Sequence, residues 1–532
     1  MENLIIRTEE IRDSKILDYY VENRFDEKIL DSLESNVPCL LVGSRGVGKS
    51  FLFRVLKQRL LDNFDNKRIL PVMVTFRNVS LLGTENINQF QYWMLSRIST
   101  EIIRALKKAG VLAGKCGFLH GLQSQEDEQS YLEKICDQFE NSWRNEHKQI
   151  DVKNIPTIDD LLNAVEDICE DNNILRIVIN IDEAAHVFIP AQQRQFFTLF
   201  RDLRSPYLKC NAAIYPGTTC FGDSFQPMHD AVFLHINRDI QDPEYIFSMK
   251  QMVIKQLNDS TSSIQLSQHG RNFTLLAYAA SGNPRLLFTS LGLIEKISSD
   301  NTNKIFREFY RERIWSEHSA LAEKFPSSRP LIDWGRNFIE TVVIPELKAK
   351  NDKYISANKA TTTCFWIHRD SPQVVKEALR LLEYTGIISE NSTGIRATRD
   401  NIGTRYTVNL GCLLSLESVP TSTGMDVVKN ITIKRMSEYG ENSTYYDSLV
   451  NQVEYLEKIP NQFLSYQMKK NIDCLELTGW QKEKLHSVSI NTIGDLVNAT
   501  EETVMQAYYV GTVRARQMKN AAFAAVFEYL LG

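Results

Sequence analysis

The sequence predicts an α/β fold in which helices cover both faces of a parallel β-sheet. Five short, continuously apolar segments alternate with helical stretches in the first part of the chain, and strands of that kind are buried on both faces. The first segment leads through a glycine-rich turn into a helix, which is typical of a strand–loop–helix unit. The predicted strands are Val37–Val42, Ile69–Phe76, Ile174–Ile181, Ala212–Tyr215 and Ala231–Ile236.

The composition is that of a globular protein with several domains. A chain of 532 residues is too long for one hydrophobic core. Its 43% hydrophobic and 24% charged residues are ordinary for globular proteins, and a net charge of −5 excludes a basic surface over the whole molecule. The nine cysteines include no C-x-x-C pair, which indicates reduced thiols rather than disulfides or a zinc site. Because neither a secretory signal nor a membrane-length apolar run is visible, we expect a cytoplasmic protein without a membrane partner.

The glycine-rich turn after the first strand matches the phosphate-loop pattern G-x-x-x-x-G-K-[ST]. Its glycines allow a tight turn whose backbone N–H groups face a polyphosphate, and the start of the next helix adds a favourable field for that anion. In this pattern Lys49 reaches the β- and γ-phosphates, and the Ser50 hydroxyl ligates Mg²⁺. The expected nucleotide-binding residues are Gly43, Ser44, Arg45, Gly46, Val47, Gly48, Lys49, Ser50 and Phe51.

Two carboxylates end the third predicted strand. Asp182 and Glu183 lie at its carboxyl end, where open parallel sheets bind their ligands. We expect Asp182 to hold the Mg²⁺ shell together with Ser50, and Glu183 to orient and deprotonate the attacking water. We also expect this pair and the phosphate loop to lie at neighbouring strand ends.

The phosphate loop, the apolar strand ending in Asp182 and Glu183, and the later Gly282-Asn283-Pro284-Arg285 resemble the AAA+ ATPases. The resemblance is strongest to their initiator branch, which includes the origin-recognition-complex-like proteins and is close to the STAND ATPases. It covers residues 1 to about 310, and more weakly the next hundred, and it implies that ATP is the nucleotide. It also implies that Arg285, in a helical lid, senses the γ-phosphate. A polar sensor follows the fourth strand in this family, and Thr218 and Tyr215 are both candidates for it.

The chain departs from this family at the arginine that usually completes a neighbouring subunit's site. Cys220–Asp230, before the fifth strand, contains no arginine. Arg201, Arg204 and Arg238 are nearby, but a surface or ion-paired role is the more ordinary interpretation of each. We therefore expect tight ATP binding with slow hydrolysis, and either a homo-oligomer or a partner effector protein.

Residues 330–416 show the element order of a winged helix. Ser371-Pro372 predicts a helix start, and Gly386 predicts the end of that helix. The loop Asn391–Thr404 is the predicted wing, and Arg405–Leu410 is the returning strand. Three wing-region arginines, at positions 396, 399 and 405, suit contact with DNA phosphates, and a solvated hairpin is an equal alternative.

The last sixty or so residues resemble the C-terminal domain of the RNA polymerase α subunit, a helix-hairpin-helix module. Val510–Ala515 matches its hairpin, although Tyr509 stands where the first hairpin glycine is usual. Such hairpins grip a DNA phosphate through backbone N–H groups. Residues 471–532 contain 5 basic and 7 acidic side chains, a net charge of −2 that argues against strong duplex binding by this module alone.

The predicted fold class is an α/β P-loop NTPase core of the AAA+ type with a helical lid, followed by winged-helix and all-α helix-hairpin-helix domains. The predicted parts are an ATPase core over residues 1–240 with a helical insertion at about 79–168, a lid over 241–327, a winged helix over 328–420, a linker or helical segment over 421–470, and a helix-hairpin-helix domain over 471–532.

These observations imply a Mg-ATP-dependent AAA+ switch that engages DNA through its C-terminal modules. A second hypothesis is a nucleotide-gated scaffold or sensor ATPase of a bacterial antiviral defence system, acting on a separate effector protein. It is motivated by the missing arginine and by the acidic C-terminal module. A third hypothesis is a transposition-type ATPase that forms filaments on DNA.

Overall fold

The five predicted strands are confirmed. They are β1 (Cys39–Val42), β2 (Ile69–Thr75), β3 (Arg176–Asp182), β4 (Leu208–Ile214) and β5 (Val232–His235). Within the described residues they pair in parallel, in the order β2-β3-β4-β1-β5. The structure is a computed structural model, which describes residues 4–76, 87–111, 131–140, 155–182, 190–216, 219, 221–222, 224–257, 266, 268–324, 328–398, 401–450, 468–475 and 477–531.

Helices cover both faces of this sheet. Alternate residues of β1 enter different cores, with Leu40 and Val42 on one face and Cys39 and Leu41 on the other. The described helices that precede β5 are α1 (Arg24–Glu34), α2 (Lys49–Asp62), α3 (Phe64–Lys67), α4 (Ile87–Lys108), α5 (Tyr131–Glu140), α6 (Ile158–Asp171), α7 (Pro190–Asp202) and α8 (Pro227–Asp230). Apolar side chains of α1 and α2 pack on the Leu41 face, and those of α4 to α7 pack on the Leu40 face. The fold of this part is therefore the predicted α/β layer structure.

The chain divides into two compact units. The α/β unit comprises Leu4–Arg238 and Phe247–Asn258, and the C-terminal unit includes Asp239–Ile246 and Asp259–Gly532. The described helices that follow β5 are α9 (Tyr245–Ile254), α10 (Gly270–Ala279), α11 (Pro284–Gly292), α12 (Ser299–Ile305), α13 (Ile314–Ser319), α14 (Leu321–Lys324), α15 (Arg329–Asn337), α16 (Ile344–Ser356), α17 (Gln373–Thr385), α18 (Leu410–Leu414), α19 (Pro420–Val428), α20 (Gly479–Ser487), α21 (Ile493–Asn498), α22 (Glu501–Val504) and α23 (Thr512–Leu531). Segments of π-helix at Phe306–Arg313 and Phe338–Val343 continue α12 into α13 and α15 into α16.

A second sheet lies in the C-terminal unit. Its strands are β6 (Cys364–His368), β7 (Ile388–Arg396), β8 (Ile402–Val408) and β9 (Ser437–Tyr439). Among the described residues the order is β7-β8-β6-β9, with β8 antiparallel to both β7 and β6, and β9 parallel to β6. The helix, strand, hairpin order predicted here from sequence is therefore observed.

Two local predictions in this region are wrong. Helix α17 begins at Gln373 with Pro372 as its N-cap, one residue later than predicted, whereas Gly386 ends it as expected in a left-handed conformation at φ 78°. Strands β7 and β8 also extend through most of the segment predicted as the wing loop. Irregular pairing around Ser392 lets this polar segment stay in the sheet, since a β-bulge takes up the extra residues without ending the ladder.

Helix α17 lies inside the C-terminal unit. Each of its residues is buried or half-buried, and α23 packs against it. Arg405, on β8, is also engaged internally, because its guanidinium donates to Asn391 Oδ1 at 2.7 and 2.9 Å and to the Ile433 carbonyl at 3.1 Å. The side chain of Arg405 is therefore held by bonds within the C-terminal unit.

The last four described helices, α20 to α23, share a core of their own, and we call them the C-terminal module. Thr478 and Thr492 begin α20 and α21 with reciprocal capping boxes, to Gln481 and Asp495 respectively. Apolar side chains from α20 to α23 then form a separate cluster that includes Leu485 and Met518. None of the described helices combines the length and the apolar character needed to cross a membrane.

Candidate nucleotide site

The nine predicted nucleotide-binding residues form the connection from β1 to α2 and the first turn of α2. Gly48 is the N-cap of α2 at φ 105°, a left-handed conformation that other residues rarely adopt. Gly43 is required for space, because a Cβ atom there would lie 2.6 Å from Cγ2 of Val47. The chain therefore makes the tight turn, and directs the start of a helix toward it, as the phosphate-loop pattern predicts.

Lys49 is buried within this loop, with 5% of its surface exposed. Its Nζ donates to the carbonyl of Gly43 at 2.5 Å and to that of Ser44 at 3.1 Å. The same Nζ lies 3.7 Å from the ring centroid of Tyr215, which follows β4. A buried ammonium held by loop carbonyls provides a positive charge that can pair with an anionic ligand bound in the loop.

Asp182 is the last residue of β3 and has 6% of its surface exposed. The prediction that this strand end neighbours the phosphate loop is wrong, because β4 lies between β1 and β3. The chain returns from β3 through α7 to β4, and that crossover places β4 beside β1. Strands β3 and β1 are therefore two strand spacings apart, or about 10 Å. Tyr215 follows β4, the strand that lies between them.

A buried ion pair supports the phosphate loop, and the sequence did not identify it. Arg238 follows β5, and its Nη2 lies 3.0 and 3.2 Å from the carboxylate oxygens of Asp26 on α1. Its Nη1 donates to the carbonyl of Val47 at 2.8 Å. The side chains of Arg238 and Asp26 are 10% and 3% exposed. Arg238 is thus an ion-paired arginine that connects the loop to α1, one of the ordinary roles weighed for it from sequence.

Arg201 is also bonded within its own chain. It donates to the carboxylate of Asp202 at 2.8 Å and to the carbonyl of Ser224 at 2.6 Å. Arg204 is exposed in the turn after α7. For Arg238 the sequence indicated an ion-paired role but not Asp26 as its partner, because the two residues are far apart in the sequence.

Arg285 lies in the C-terminal unit, in the first turn of α11. Asn283 caps this helix by accepting from the backbone N–H groups of Arg285 and Leu286 at 3.1 and 3.4 Å, and Pro284 occupies the first helical position. Asn283 and Pro284 thus form the start of this helix. Glu183 and Thr218 lie outside the described residues, so Tyr215 is the described member of the two sensor candidates.

Comparison with known proteins gives one family match. Residues 5–84 match the family model described as ORC-CDC6-like. This segment holds β1, the phosphate loop, α2 and β2, so the resemblance to origin-recognition-complex-like proteins is confirmed over these residues. No curated protein matches the chain.

Three solved structures show a distant likeness. The Walker-type ATPase PABY2304 of Pyrococcus abyssi is 13% identical, covering 80% of this chain and 97% of that one, with a TM-score of 0.36. The ORC1 protein of Aeropyrum pernix in complex with DNA is 12% identical over 78% of this chain and 95% of its own, with a TM-score of 0.32. The ORC2 protein of Aeropyrum pernix in ADPNP–ADP complexes is 10% identical over 81% of this chain and 92% of its own, with a TM-score of 0.32. TM-scores at this level support no conclusion about ligand, partner or activity, and the similarity that bears on function is that of residues 5–84 to ORC-CDC6-like proteins.

Proposed function

We propose that this protein is a switch that binds and hydrolyses Mg-ATP at the phosphate loop. The observation that carries the proposal is the placement of Lys49, a buried ammonium inside a glycine turn between a parallel strand and a helix N-terminus. A nucleoside triphosphate suits this setting, because the loop offers backbone N–H groups, a helix terminus and one fixed positive charge to its phosphates. Exchange of the Gly43 and Ser44 carbonyls for phosphate oxygens would leave Lys49 paired with a charge.

Each remaining group has a role that its residue type fits. Ser50, in the first turn of α2, and Asp182, at the end of β3, would hold magnesium, which prefers oxygen ligands. Bound magnesium neutralises charge that develops on the phosphates during transfer. Glu183 would orient the attacking water, and Arg285 is proposed as the γ-phosphate sensor on the family resemblance. Tyr215 supports the ammonium of Lys49 through its ring, and Thr218 remains the other candidate sensor.

The test of hydrolysis is Glu183→Gln. The glutamine keeps the size of the side chain but cannot accept a proton from water, so we expect unchanged Mg-ATP affinity with turnover reduced by at least about a hundredfold. Glu170→Gln is the matched control, because Glu170 accepts a bond from the Tyr207 hydroxyl at 2.9 Å on the exposed surface. If Glu183→Gln hydrolyses ATP at the wild-type rate, the assignment of the water-activating residue is wrong.

We also propose that the switch engages DNA. The helix-strand-hairpin order of the C-terminal unit supports a winged helix, and α20 to α23 support a helix-hairpin-helix module. Since α17 has no exposed residue and Arg405 bonds internally, we assign the DNA contact to the C-terminal module first. The proposed assembly is a homo-oligomer or a complex with a partner effector protein.

A second candidate function is a nucleotide-gated scaffold that acts on a separate effector protein. Burial of α17 beneath α23 favours it, because that helix is the element a winged helix would present to a DNA groove. Duplex binding measured across a salt series distinguishes the two candidates. A steep loss of affinity with salt supports DNA binding, and no duplex or single-strand binding at low salt supports the scaffold.

A further inference from the structure

Three aromatic rings are exposed together in the C-terminal module. Tyr508 and Tyr509, in the turn before α23, have 73% and 69% of their surface exposed, and Trp480, in the first turn of α20, has 39%. The rings of Tyr508 and Tyr509 lie 4.4 Å apart at 76°. We call these three residues the aromatic cluster. Large rings exposed to this extent contribute little to folding and mark surfaces that bind other molecules.

Two cations connect the members of the cluster. Nζ of Lys484 lies 5.7 Å from the ring centroid of Trp480 and 5.9 Å from that of Tyr508. The guanidinium carbon of Arg514 lies 5.1 Å from the ring centroid of Trp480, and its Nη1 donates to the carbonyl of Tyr509 at 2.8 Å. The surface therefore combines aromatic faces with positive charge.

The backbone at Tyr509 is the second, independent observation. Its φ is 68°, in the left-handed region that a glycine adopts without cost and an aromatic residue adopts rarely. The ring gains no burial in return for this strain, since it remains largely exposed. Strained residues of this kind concentrate at functional sites, where the position of the side chain matters more than local stability.

The nearby acids leave these cations available to a ligand. Glu501 is paired with Arg516 at 2.8 Å, and Asp473 accepts from His486 at 3.1 Å. Glu483 is exposed on α20, next to Lys484 in the sequence, and its charge lowers the net positive charge of this part of the helix. Electrostatic attraction here is thus modest, and most of the binding free energy must come from the rings.

We propose that the aromatic cluster, with Lys484 and Arg514, binds single-stranded nucleic acid. Unpaired bases stack on aromatic faces irrespective of sequence, and adjacent cations contact the phosphates. Bases within a duplex are already stacked on each other, so a platform of rings selects unpaired segments. The inference rests on the proposed function only in assuming that the switch engages nucleic acid, and it specifies which form is bound.

The test measures binding of labelled oligodeoxythymidylate and oligouridylate, each of about 20 nucleotides, to the full chain by fluorescence anisotropy. The same measurement is made with a duplex of equal length. We expect tighter binding to the single strands than to the duplex, and a loss of about tenfold in single-strand affinity for Tyr508→Ala. Tyr508→Phe should retain the affinity, because the ring is kept. Phe247→Ala is the matched control, since Phe247 is 59% exposed in the α/β unit.

Tyr509→Gly separates binding from folding. Glycine accepts a φ of 68° without strain, so this variant should melt at the wild-type temperature or above it while losing single-strand affinity. Wild-type single-strand affinity in both Tyr508→Ala and Tyr509→Gly would overturn the inference. If those variants lose single-strand binding but keep duplex binding, the inference is supported and a second DNA surface exists. If the wild type binds neither form while it binds Mg-ATP, the inference is overturned together with DNA engagement, and the nucleotide switch stands.

Discussion

The candidate binding residues of the α/β unit are mostly buried, whereas those of the C-terminal unit are exposed. Around the phosphate loop two cations are buried and fixed, Lys49 by loop carbonyls and Arg238 by Asp26. In the C-terminal module the candidate groups are exposed rings and cations around the turn that contains Tyr508. Few residue types satisfy a buried charged site, so it appears in the sequence as a motif. An exposed surface tolerates many residues, so it becomes visible only when exposure is measured.

We expect the largest effect from removing the buried cation beside the phosphate loop. Arg238→Met leaves the Asp26 carboxylate buried without its partner and removes the bond to the Val47 carbonyl. Breaking a buried ion pair in this way typically costs about 3–5 kcal/mol. We expect a loss of that size in the free energy of urea unfolding, with a parallel loss of Mg-ATP affinity because the loop is no longer supported.

Two controls make the Arg238 experiment specific. Arg59→Met removes a bidentate pair to Glu27, with both bonds at 2.8 Å, between α2 and α1, but these side chains are 28% and 35% exposed, so its cost should be about 1 kcal/mol and well below that of Arg238→Met. The double variant Asp26→Asn with Arg238→Met should recover part of the loss, since no buried charge remains unpaired. Equal effects of Arg238→Met and Arg59→Met on unfolding and on ATP affinity would contradict a supporting role for the buried pair.

A smaller effect tests buried charge in the C-terminal unit. Burial, reinforced by the nearby Glu390 carboxylate, raises the pKa of Glu383 on α17 to about 8. Because the folded pKa is above the ordinary value of 4.5, the stability that this group contributes is present at low pH and is lost as pH rises toward 8. Glu383→Gln does not titrate, so between about pH 6 and about pH 9 we expect the free energy of unfolding of the wild type to fall by about 3 kcal/mol relative to that of the variant.

Urea unfolding at about pH 6 and about pH 9 measures this difference. Glu377→Gln is the control on the same helix, because Glu377 is paired with Arg380 at 3.1 Å and its loss should not stabilise the protein at either pH. A wild type and a Glu383→Gln variant with the same pH dependence would show that Glu383 is not a buried neutral acid.

Most of the α/β fold follows from the pattern of the sequence. A strand such as β3 has apolar residues on both faces, and the core on each side of the sheet accounts for them. The order of the strands does not follow, because a crossover can return to either side of an existing strand. For that reason the position of β4 between the phosphate loop and Asp182 was not foreseen.

The phosphate-loop motif of the candidate site could be predicted from the sequence, but the ion pair that supports the loop could not. Glycines at positions 43 and 48 and the lysine between loop and helix follow from the chemistry of phosphate binding. Asp26 is distant in sequence from Arg238, and nothing local indicates that they meet. In the C-terminal unit the elements were largely predictable, but the exposure of α17 was not, since it depends on packing by α23.

The most direct test of the central claim is calorimetric titration of Mg-ATP into the full chain, its Lys49→Ala variant and its Lys57→Ala variant. Lys57 lies on the same helix α2, but its Nζ pairs with Asp13 at 2.9 Å and does not contact the phosphate loop. We predict that the wild type and Lys57→Ala bind with the same affinity, and that Lys49→Ala shows no measurable binding. Wild-type affinity in Lys49→Ala, or no binding by any of the three proteins, would contradict a nucleotide site at this loop.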